Sequence, residues 1–250
     1  LITMALNLND FILMKGILTK LVSRLLKLIT ARNIIVLGDS HALVFMSRRF
    51  RRYFPLTKFD VCSVGGATAS GLDNPNSLTA AYEMFSNKLS SVPKNSIVIV
   101  MLGEVDTGFV IWWRSQKSGE GIELMLGRAI KNYTKFISEL DSSHRPLVIS
   151  TPMPTITDDN EWGEVANLRS EISATQRERT DLTLRFNSEI REYCGRYSIP
   201  YVDLDKASLG DDGLVADHLI GGNRNDHHYD VGQYLKLMAP RLRIALKRVL

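Results

Sequence analysis

The sequence predicts an α/β protein in which helices cover both faces of a central parallel sheet. From residue 33 onward, short apolar runs alternate with longer segments of helical periodicity. Several runs are β-branched and nearly continuous, as expected of strands that are buried on both faces. Alternation of strand and helix favours right-handed crossovers and a layered arrangement. We therefore expect a three-layer α/β/α sandwich with a parallel sheet of about five strands.

The elements follow one another without a clear break. The predicted strands span residues 34–37, 59–64, 97–102, 147–149 and 201–204, and the predicted helices span about 41–52, 77–91, 121–140, 164–195 and 231–248. Proline and polar residues mark the connections, as at Asn74-Pro75. Because no repeat or linker interrupts this order, residues 33–250 are predicted to form a single domain.

Composition excludes several classes of protein. The 250 residues are 44% hydrophobic and 23% charged, which is typical of a globular chain and not of a disordered, collagen-like or coiled-coil one. A net charge of +4 without a long basic arm does not indicate a nucleic-acid partner. Two cysteines, Cys62 and Cys194, are too few for a disulfide framework or a four-thiolate zinc site. They favour a reducing, cytoplasmic setting.

Residues 1–32 are interpreted as an amphipathic helical extension. Basic residues interrupt the apolar stretch at 11–29, which argues against a membrane span, and no signal-peptide pattern is visible. The apolar side chains share one helical face, and the basic ones lie largely elsewhere. We expect this helix to pack on the domain or on a partner. The alternative is peripheral contact of residues 14–30 with a membrane surface.

In a parallel sheet, ligands bind beyond the carboxyl ends of the strands, where the first motif lies. Gly38-Asp39-Ser40-His41 runs from the first predicted strand into a helix. A serine at a helix N-terminus has free N–H groups nearby that favour negative charge, as a nucleophile requires. The alternative is that Asp39 or Ser40 only caps the helix.

Two further groups follow the second and third strands. Gly65-Gly66 lets the backbone approach a ligand and present an N–H group, although a plain turn would use the same residues. Glu104 and Asp106 place two carboxylates after the third strand, where they can bind a polar substrate or cap the next segment.

A fourth group, Asn225-Asp226-His227-His228-Tyr229, precedes the last helix. Histidine is the usual general base for a serine nucleophile, and an adjacent carboxylate sets its tautomer. The four groups lie at strand ends or in the closing loop, so one cleft can collect them.

The order of these motifs resembles the SGNH (GDSL-type) hydrolase superfamily over about residues 33–249. The resemblance implies a flavodoxin-like α/β/α sandwich that performs ester hydrolysis or acyl transfer without a metal or cofactor. It implies Ser40 as nucleophile, His228 (or His227) as general base and Asp226 as the acid that orients the base.

The resemblance also implies that the backbone N–H groups of Ser40 and Gly66 (or Gly65) donate to the oxyanion. Two positions depart from the family pattern. Val105 stands where the family has an asparagine that donates to the oxyanion. The family also places its aspartate three residues before the histidine, whereas here Asn225 lies three residues and Asp226 two residues before His228.

Seven side chains around the motifs are predicted to contact substrate: Asp39, His41, Glu104, Asp106, Trp113, Arg114 and His227. Trp rings stack on the apolar faces of sugars, and Arg114 can bind a carboxylate or phosphate. The alternative is that Trp112 and Trp113 pack in the core.

The sequence therefore predicts a serine-dependent ester hydrolase or O-acyltransferase that acts on an acyl group, such as acetyl, of a carbohydrate or small ester. Two alternatives stay open. One is a non-catalytic binding protein on the same fold. The other is a metal-dependent phosphoesterase, because Asp39-Ser40-His41 contains an Asp-x-His pattern typical of metal ligands.

Overall fold

A computed structural model describes residues 32–74, 76–158, 172–223 and 226–249. Five parallel strands form one sheet in the order β2-β1-β3-β4-β5. The strands are β1 (Arg32–Gly38), β2 (Thr57–Ser63), β3 (Ile97–Met101), β4 (Arg145–Ile149) and β5 (Tyr201–Val202). This order is that of the flavodoxin-like doubly wound fold, so the predicted fold class is confirmed.

Helices connect the strands. The α-helices of the described ranges are α1 (Arg48–Tyr53), α2 (Ala81–Ser90), α3 (Ile111–Ser118), α4 (Ile122–Asp141), α5 (Gln176–Arg196), α6 (Asp205–Ser208) and α7 (Val231–Val249). Short 3₁₀ helices span Ser40–Met46, Ser70–Asp73 and Asp217–Leu219, and one π-helical turn spans Asp106–Val110.

The sheet is buried on both faces. Ile34 and Val36 of β1 pack with α1 and α7 on one face, whereas Ile35 and Leu37 pack with α2, α4 and α5 on the other. All four side chains are at most 1% exposed. Burial on both faces explains why the strand sequence is continuously apolar.

Three predicted helices have different bounds. The helix predicted at 41–52 is divided at Ser47, which has extended backbone and caps α1 by accepting from the N–H of Phe50. The helix predicted at 77–91 begins at Ala81. The helix predicted from residue 164 begins at Gln176, because Thr175 and Glu178 form a capping box. Residues 159–171 lie outside the described residues.

The predicted N-terminal extension also lies outside the described residues, except that Arg32 begins β1. The domain boundary at residue 33 stays a prediction. Among the described residues, no helix combines the length and the apolar character needed to cross a membrane.

Candidate active site

Ser40 follows β1, at the point where the order of the strands in the sheet reverses. β1 pairs with β2 on one side and β3 on the other, so a crevice opens beyond the carboxyl end of β1. The turn from strand to 3₁₀ helix requires Gly38, since a Cβ there would lie 2.5 Å from the carbonyl oxygen of Met101. The nucleophile predicted from the sequence therefore stands at the expected ligand-binding edge.

Ser40, His228 and Asp226 form a continuous chain of hydrogen bonds. The Nδ1 of His228 lies 2.6 Å from Oδ1 of Asp226, and its Nε2 lies 2.8 Å from Oγ of Ser40. A carboxylate only accepts, so Nδ1 carries the proton and Nε2 accepts from the serine hydroxyl. This is the tautomer that a general base needs.

Asp226 is held as an anion. Partial burial acts to raise its pKa, but hydrogen bonds from the backbone N–H and ring of His228 lower the pKa below its usual value. A carboxylate two residues before the histidine thus reaches the ring. Asn225, the alternative partner, lies outside the described residues.

His227 provides a second imidazole beside the nucleophile. Its Nε2 lies 3.4 Å from Oγ of Ser40, and its ring centroid is 4.0 Å from that of His228. The predicted role of His227 in substrate binding is compatible with this place, and it stays a prediction.

Asp39 and His41, which the sequence predicts to contact substrate, are buried and bonded to each other, and the substrate contact stays a prediction. They are 1% and 3% exposed, and Oδ1 of Asp39 accepts from both the backbone N–H and Nδ1 of His41. Asp39 is therefore the N-cap of the 3₁₀ helix, which was the alternative interpretation.

Glu104 and Asp106, also predicted to contact substrate, are buried carboxylates, and their substrate contact stays a prediction. Asp106 is fully buried and accepts from the backbone N–H groups of Ala69 and Ser70, at 2.6 and 3.0 Å. Burial raises the pKa of Asp106 to about 6, although these hydrogen bonds oppose the shift. Glu104 is 1% exposed, and its charge acts on His41. In this structure, Asp106 therefore bonds to buried backbone groups, and Glu104 contributes negative charge near His41.

The proposed oxyanion segment is tied to the nucleophile by backbone contacts. The N–H of Val64 donates to the carbonyl of Gly38 at 2.9 Å, and Oγ of Ser63 donates to the carbonyl of Asp39 at 2.7 Å. Gly66 follows in an exposed turn with φ of +73°, which favours glycine. Val105 is buried and offers no side-chain donor.

Trp113 and Arg114 lie on α3. Trp113 contacts the ring of Phe109 at 6.4 Å between centroids, and Nζ of Lys117 lies 6.0 Å from its ring. Arg114 shares a small cavity with Ser70. Both side chains are half-buried, and their role toward a sugar stays a prediction.

The sequence did not reveal the residues that hold the histidine loop. Oγ1 of Thr155 donates to the carbonyl of Asp226 at 3.0 Å, and the hydroxyl of Tyr229 accepts from the N–H of Met153 at 2.7 Å. The position of Met153 and Thr155 in the loop after β4 was the only signal that the sequence offered.

Within the part of the chain that the structure describes, one group of side chains could hold a metal ion. The ligand atoms of Asp226, His227 and His228 lie within 4.8 Å of one another. Asp39 and His41, on which the phosphoesterase hypothesis depended, are paired with each other in the interior and do not belong to this group.

The chain is similar in structure to several hydrolases. A GDSL-like lipase from Bacteroides thetaiotaomicron superimposes with a TM-score of 0.59 and 11% identity, over 88% of this chain and 89% of that chain. An acetyl xylan esterase superimposes with a TM-score of 0.54 and 14% identity, over 86% of this chain and 99% of that chain. An alpha/beta hydrolase enzyme from the metagenome of Lake Arreo, Spain, superimposes with a TM-score of 0.51 and 12% identity, over 88% of this chain and 98% of that chain.

The fold is therefore that of the SGNH (GDSL-type) hydrolases, as the motif order implied. A scan against protein-family models finds no match to the chain. A search of curated proteins by sequence finds no match either.

Proposed function

We propose that this protein is a serine-dependent ester hydrolase or O-acyltransferase that acts on an acyl group of a carbohydrate or small ester. The observation that carries the proposal is the chain of hydrogen bonds from Ser40 through His228 to Asp226 at the crevice of the sheet. Fold alone does not imply an activity, whereas this geometry is suited to one reaction type.

In the first half of the reaction, Oγ of Ser40 attacks the ester carbonyl carbon while its proton moves to Nε2 of His228. The tetrahedral oxyanion takes hydrogen bonds from the backbone N–H groups of Ser40 and Gly66. His228 then returns the proton to the leaving alcohol, which leaves an acyl group on Ser40. Asp226 stabilises the imidazolium throughout.

In the second half, water or an acceptor hydroxyl attacks the acyl-serine, and His228 takes its proton. Collapse of the intermediate releases the acid or the transferred ester, and the proton returns to Ser40. Since Val105 cannot donate, the site has one oxyanion donor fewer than the family pattern. Loss of such a donor costs about 10²–10³ in rate, so we expect slow turnover.

Two features bear on the acyl and acceptor classes. An acetyl xylan esterase is among the similar folds, and Trp113 with Arg114 offers a stacking surface and a charge on α3. These features favour an acetylated saccharide as substrate.

Covalent labelling tests the proposal. A fluorophosphonate should label wild-type protein at Ser40, and Ser40→Ala should show no labelling while its circular dichroism spectrum is unchanged. A parallel screen of acetylated sugars and short acyl esters should show turnover only with wild type.

The same assays are repeated with EDTA. Activity that persists in the chelator supports the serine mechanism. Activity that is abolished by EDTA and restored by a divalent metal would point to the group Asp226, His227 and His228 as a metal site. An unlabelled wild-type protein would favour the binding-protein alternative.

A further inference from the structure

Both ring nitrogens of His41 face hydrogen-bond acceptors. Nδ1 lies 3.1 Å from Oδ1 of Asp39, and Nε2 lies 3.2 Å from the backbone carbonyl oxygen of His227. A carbonyl oxygen and a carboxylate can only accept, so each nitrogen must carry a proton. The geometry therefore requires His41 to be an imidazolium.

The surroundings of His41 stabilise this charge. Burial acts to lower its pKa, but the carboxylates of Asp39 and Glu104 raise the pKa to about 9. Two further titratable groups face His41, the imidazoles of His227 and His228. Their ring centroids lie 5.4 Å (His227) and 4.7 Å (His228) from the ring centroid of His41. At neutral pH, His41 is thus a buried cation that is bonded at both ends.

We propose that His41 is a positioning residue that clamps the catalytic loop onto the nucleophile's helix. Its Nε2–H holds the carbonyl of His227, the residue before His228, so the ring of His228 is kept within reach of Ser40. Ser40 and His41 are adjacent in the 3₁₀ helix, and therefore one short element carries both the nucleophile and the anchor for its base. The catalytic consequence rests on the proposed function, whereas the clamp itself does not.

Two substitutions separate the two hydrogen bonds of His41. The amide nitrogen of glutamine reaches about as far as Nε2, so His41→Gln keeps a donor toward His227. The amide of asparagine reaches only as far as Nδ1, so His41→Asn keeps the contact with Asp39 and loses the clamp. We expect His41→Asn to lower kcat about 10- to 100-fold with KM nearly unchanged, and His41→Gln to stay within about fivefold of wild type.

The pH profile gives a second measurement. Wild-type kcat should fall above about pH 9, where His41 loses a proton and one hydrogen bond, and His41→Gln should lack this fall. If both variants lose activity equally, or if His41→Asn keeps wild-type kcat, the clamp has no catalytic role.

Nitrogen NMR of histidine-labelled wild-type protein tests the clamp without any activity. At pH 7.5 to 8, about one unit or more below the pKa near 9, both ring nitrogens of His41 should show the shifts of protonated nitrogen. A neutral His41 would overturn the proposal. A protonated His41 in a protein without esterase activity would instead overturn only the proposed function.

A second inference comes from the surface formed by α1 and α7. Helices α1 and α7 pack against each other and carry nine of the chain's 31 basic residues and none of its 27 acidic ones. We call this surface the basic face. Its basic residues are Arg48, Arg49, Arg51, Arg52, Lys236, Arg241, Arg243, Lys247 and Arg248.

No ion pair within the described ranges neutralises the basic face. Several cations on the opposite side of the sheet are paired, as in Lys135–Asp73, Arg185–Glu123 and Arg191–Asp203. A groove of about 370 Å³ separates α1 from α7 and is lined by Arg49, Arg52, Tyr53, Gly232, Leu235 and Lys236. Unpaired charge of one sign concentrates anions at a surface.

The elements of the basic face also carry exposed aliphatic side chains. Ile244 on α7 is 59% exposed, and Leu56, two residues after the C-cap of α1, is 47% exposed.

We infer that the basic face binds the surface of a membrane that contains anionic phospholipids. Cations attract the headgroups, and the aliphatic side chains suit the boundary between headgroups and acyl chains. A nucleic acid would use the cations but not the aliphatic groups, so the observations favour the membrane.

Vesicle flotation of the full chain tests this inference. Wild type should float with vesicles of phosphatidylcholine and phosphatidylglycerol, not with phosphatidylcholine alone, and high salt should release it. The triple variant R49Q/R52Q/K236Q should bind at least about tenfold more weakly. The matched control K135Q/R185Q/R191Q removes three cations from the opposite side of the sheet and should bind like wild type.

Three outcomes would overturn the inference: equal binding to neutral vesicles, equal loss in both triple variants, or no loss in the basic-face variant. Duplex RNA that binds wild type while the anionic vesicles do not would assign the basic face to nucleic acid. None of these measurements depends on esterase activity.

Discussion

At the residue scale, two imidazoles lie near one hydroxyl, and geometry distinguishes them. His228 lies 2.8 Å from Oγ of Ser40, whereas His227 lies 3.4 Å away. The Nδ1 of His228 is also bonded to a carboxylate, that of Asp226. A base needs both contacts, one to take the proton and one to stabilise the resulting charge. His228 is therefore the base in the proposed mechanism.

This assignment predicts unequal effects of two alanine substitutions. His228→Ala should lower kcat by about 10⁴-fold or more, because this ring lies 2.8 Å from Oγ of Ser40 and is bonded to Asp226. His227→Ala should keep kcat within about tenfold of wild type, because its Nε2 lies farther from Oγ, at 3.4 Å. Steady-state kinetics on a short acyl ester measures both. Comparable losses in the two variants would show that the imidazoles share the proton.

Asp226 should matter less than His228, because its side chain is 46% exposed. In Asp226→Asn the amide can offer an N–H to Nδ1 and favour the wrong tautomer, so we expect kcat to fall by about 10²- to 10⁴-fold. The variant should fold normally, and a circular dichroism spectrum is the control. Retention of full activity in Asp226→Asn would mean that another group orients His228.

At the element scale, the turn between β1 and the 3₁₀ helix decides where the nucleophile stands. This turn brings Ser40 over the sheet edge only because the backbone at Gly38 lies against β3. Asp106 stabilises the neighbouring segment by accepting from the N–H groups of Ala69 and Ser70, three to four residues after Gly66. The site is thus built from strand ends that are fastened to one another.

Two glycine-to-alanine substitutions should change stability in opposite directions. Gly38→Ala places Cβ 2.5 Å from the carbonyl oxygen of Met101 and should lower the free energy of unfolding by about 1–3 kcal/mol or more. Gly127→Ala in α4 meets nothing within 4 Å and should raise it by about 0.5–1 kcal/mol. Urea denaturation measures both. A stable Gly38→Ala would show that β3 moves aside easily.

At the scale of the whole molecule, the site joins residues 188 positions apart in the chain. Ser40 follows β1, and His228 precedes α7, so the site joins elements from both ends of the described chain. Buried charges at this junction therefore couple the stability of the fold to the protonation state of the site.

Two separate pH windows follow for stability. The pKa of Asp106 is raised from 3.8 to about 6 and that of His41 from 6.5 to about 9. A group whose pKa is higher in the folded than in the unfolded protein stabilises the fold fully at a pH below its unfolded pKa. This stabilisation is lost as the pH rises through its folded pKa. The His41 contribution, up to about 3 kcal/mol, should disappear between about pH 6.5 and 9. The contribution of Asp106 should disappear between about pH 4 and 6.

Denaturation of wild type, His41→Gln and Asp106→Asn across pH 4 to 9 checks these windows. The difference in the free energy of unfolding between wild type and His41→Gln should shrink only between about pH 6.5 and 9. The difference between wild type and Asp106→Asn should shrink only between about pH 4 and 6. A difference that is constant with pH would show that the buried group does not titrate there.

The sheet and the order of the motifs could be predicted from the sequence for a physical reason. Strands buried on both faces must be continuously apolar, and the chain must turn at their carboxyl ends. Helix bounds depend on local hydrogen bonds that periodicity does not contain, because a single cap such as Thr175 decides where α5 begins.

The direction of polar side chains could not be predicted. Asp39 and His41 flank Ser40, and Glu104 and Asp106 follow β3, so all four were expected to face the cleft. Three-dimensional packing turns them inward, where backbone N–H groups and a buried imidazolium compensate their charge.

The sequence by itself determined the fold class, the order of the strands' motifs and the short segments that meet at the crevice. Apolar continuity and motif order are local properties, and a chain displays them before it folds. Only the tertiary structure decided that Asp226 reaches His228, that His41 is bonded at both nitrogens, and that cations of α1 and α7 line one groove. Each of these depends on distances between residues far apart in the chain, which periodicity does not contain.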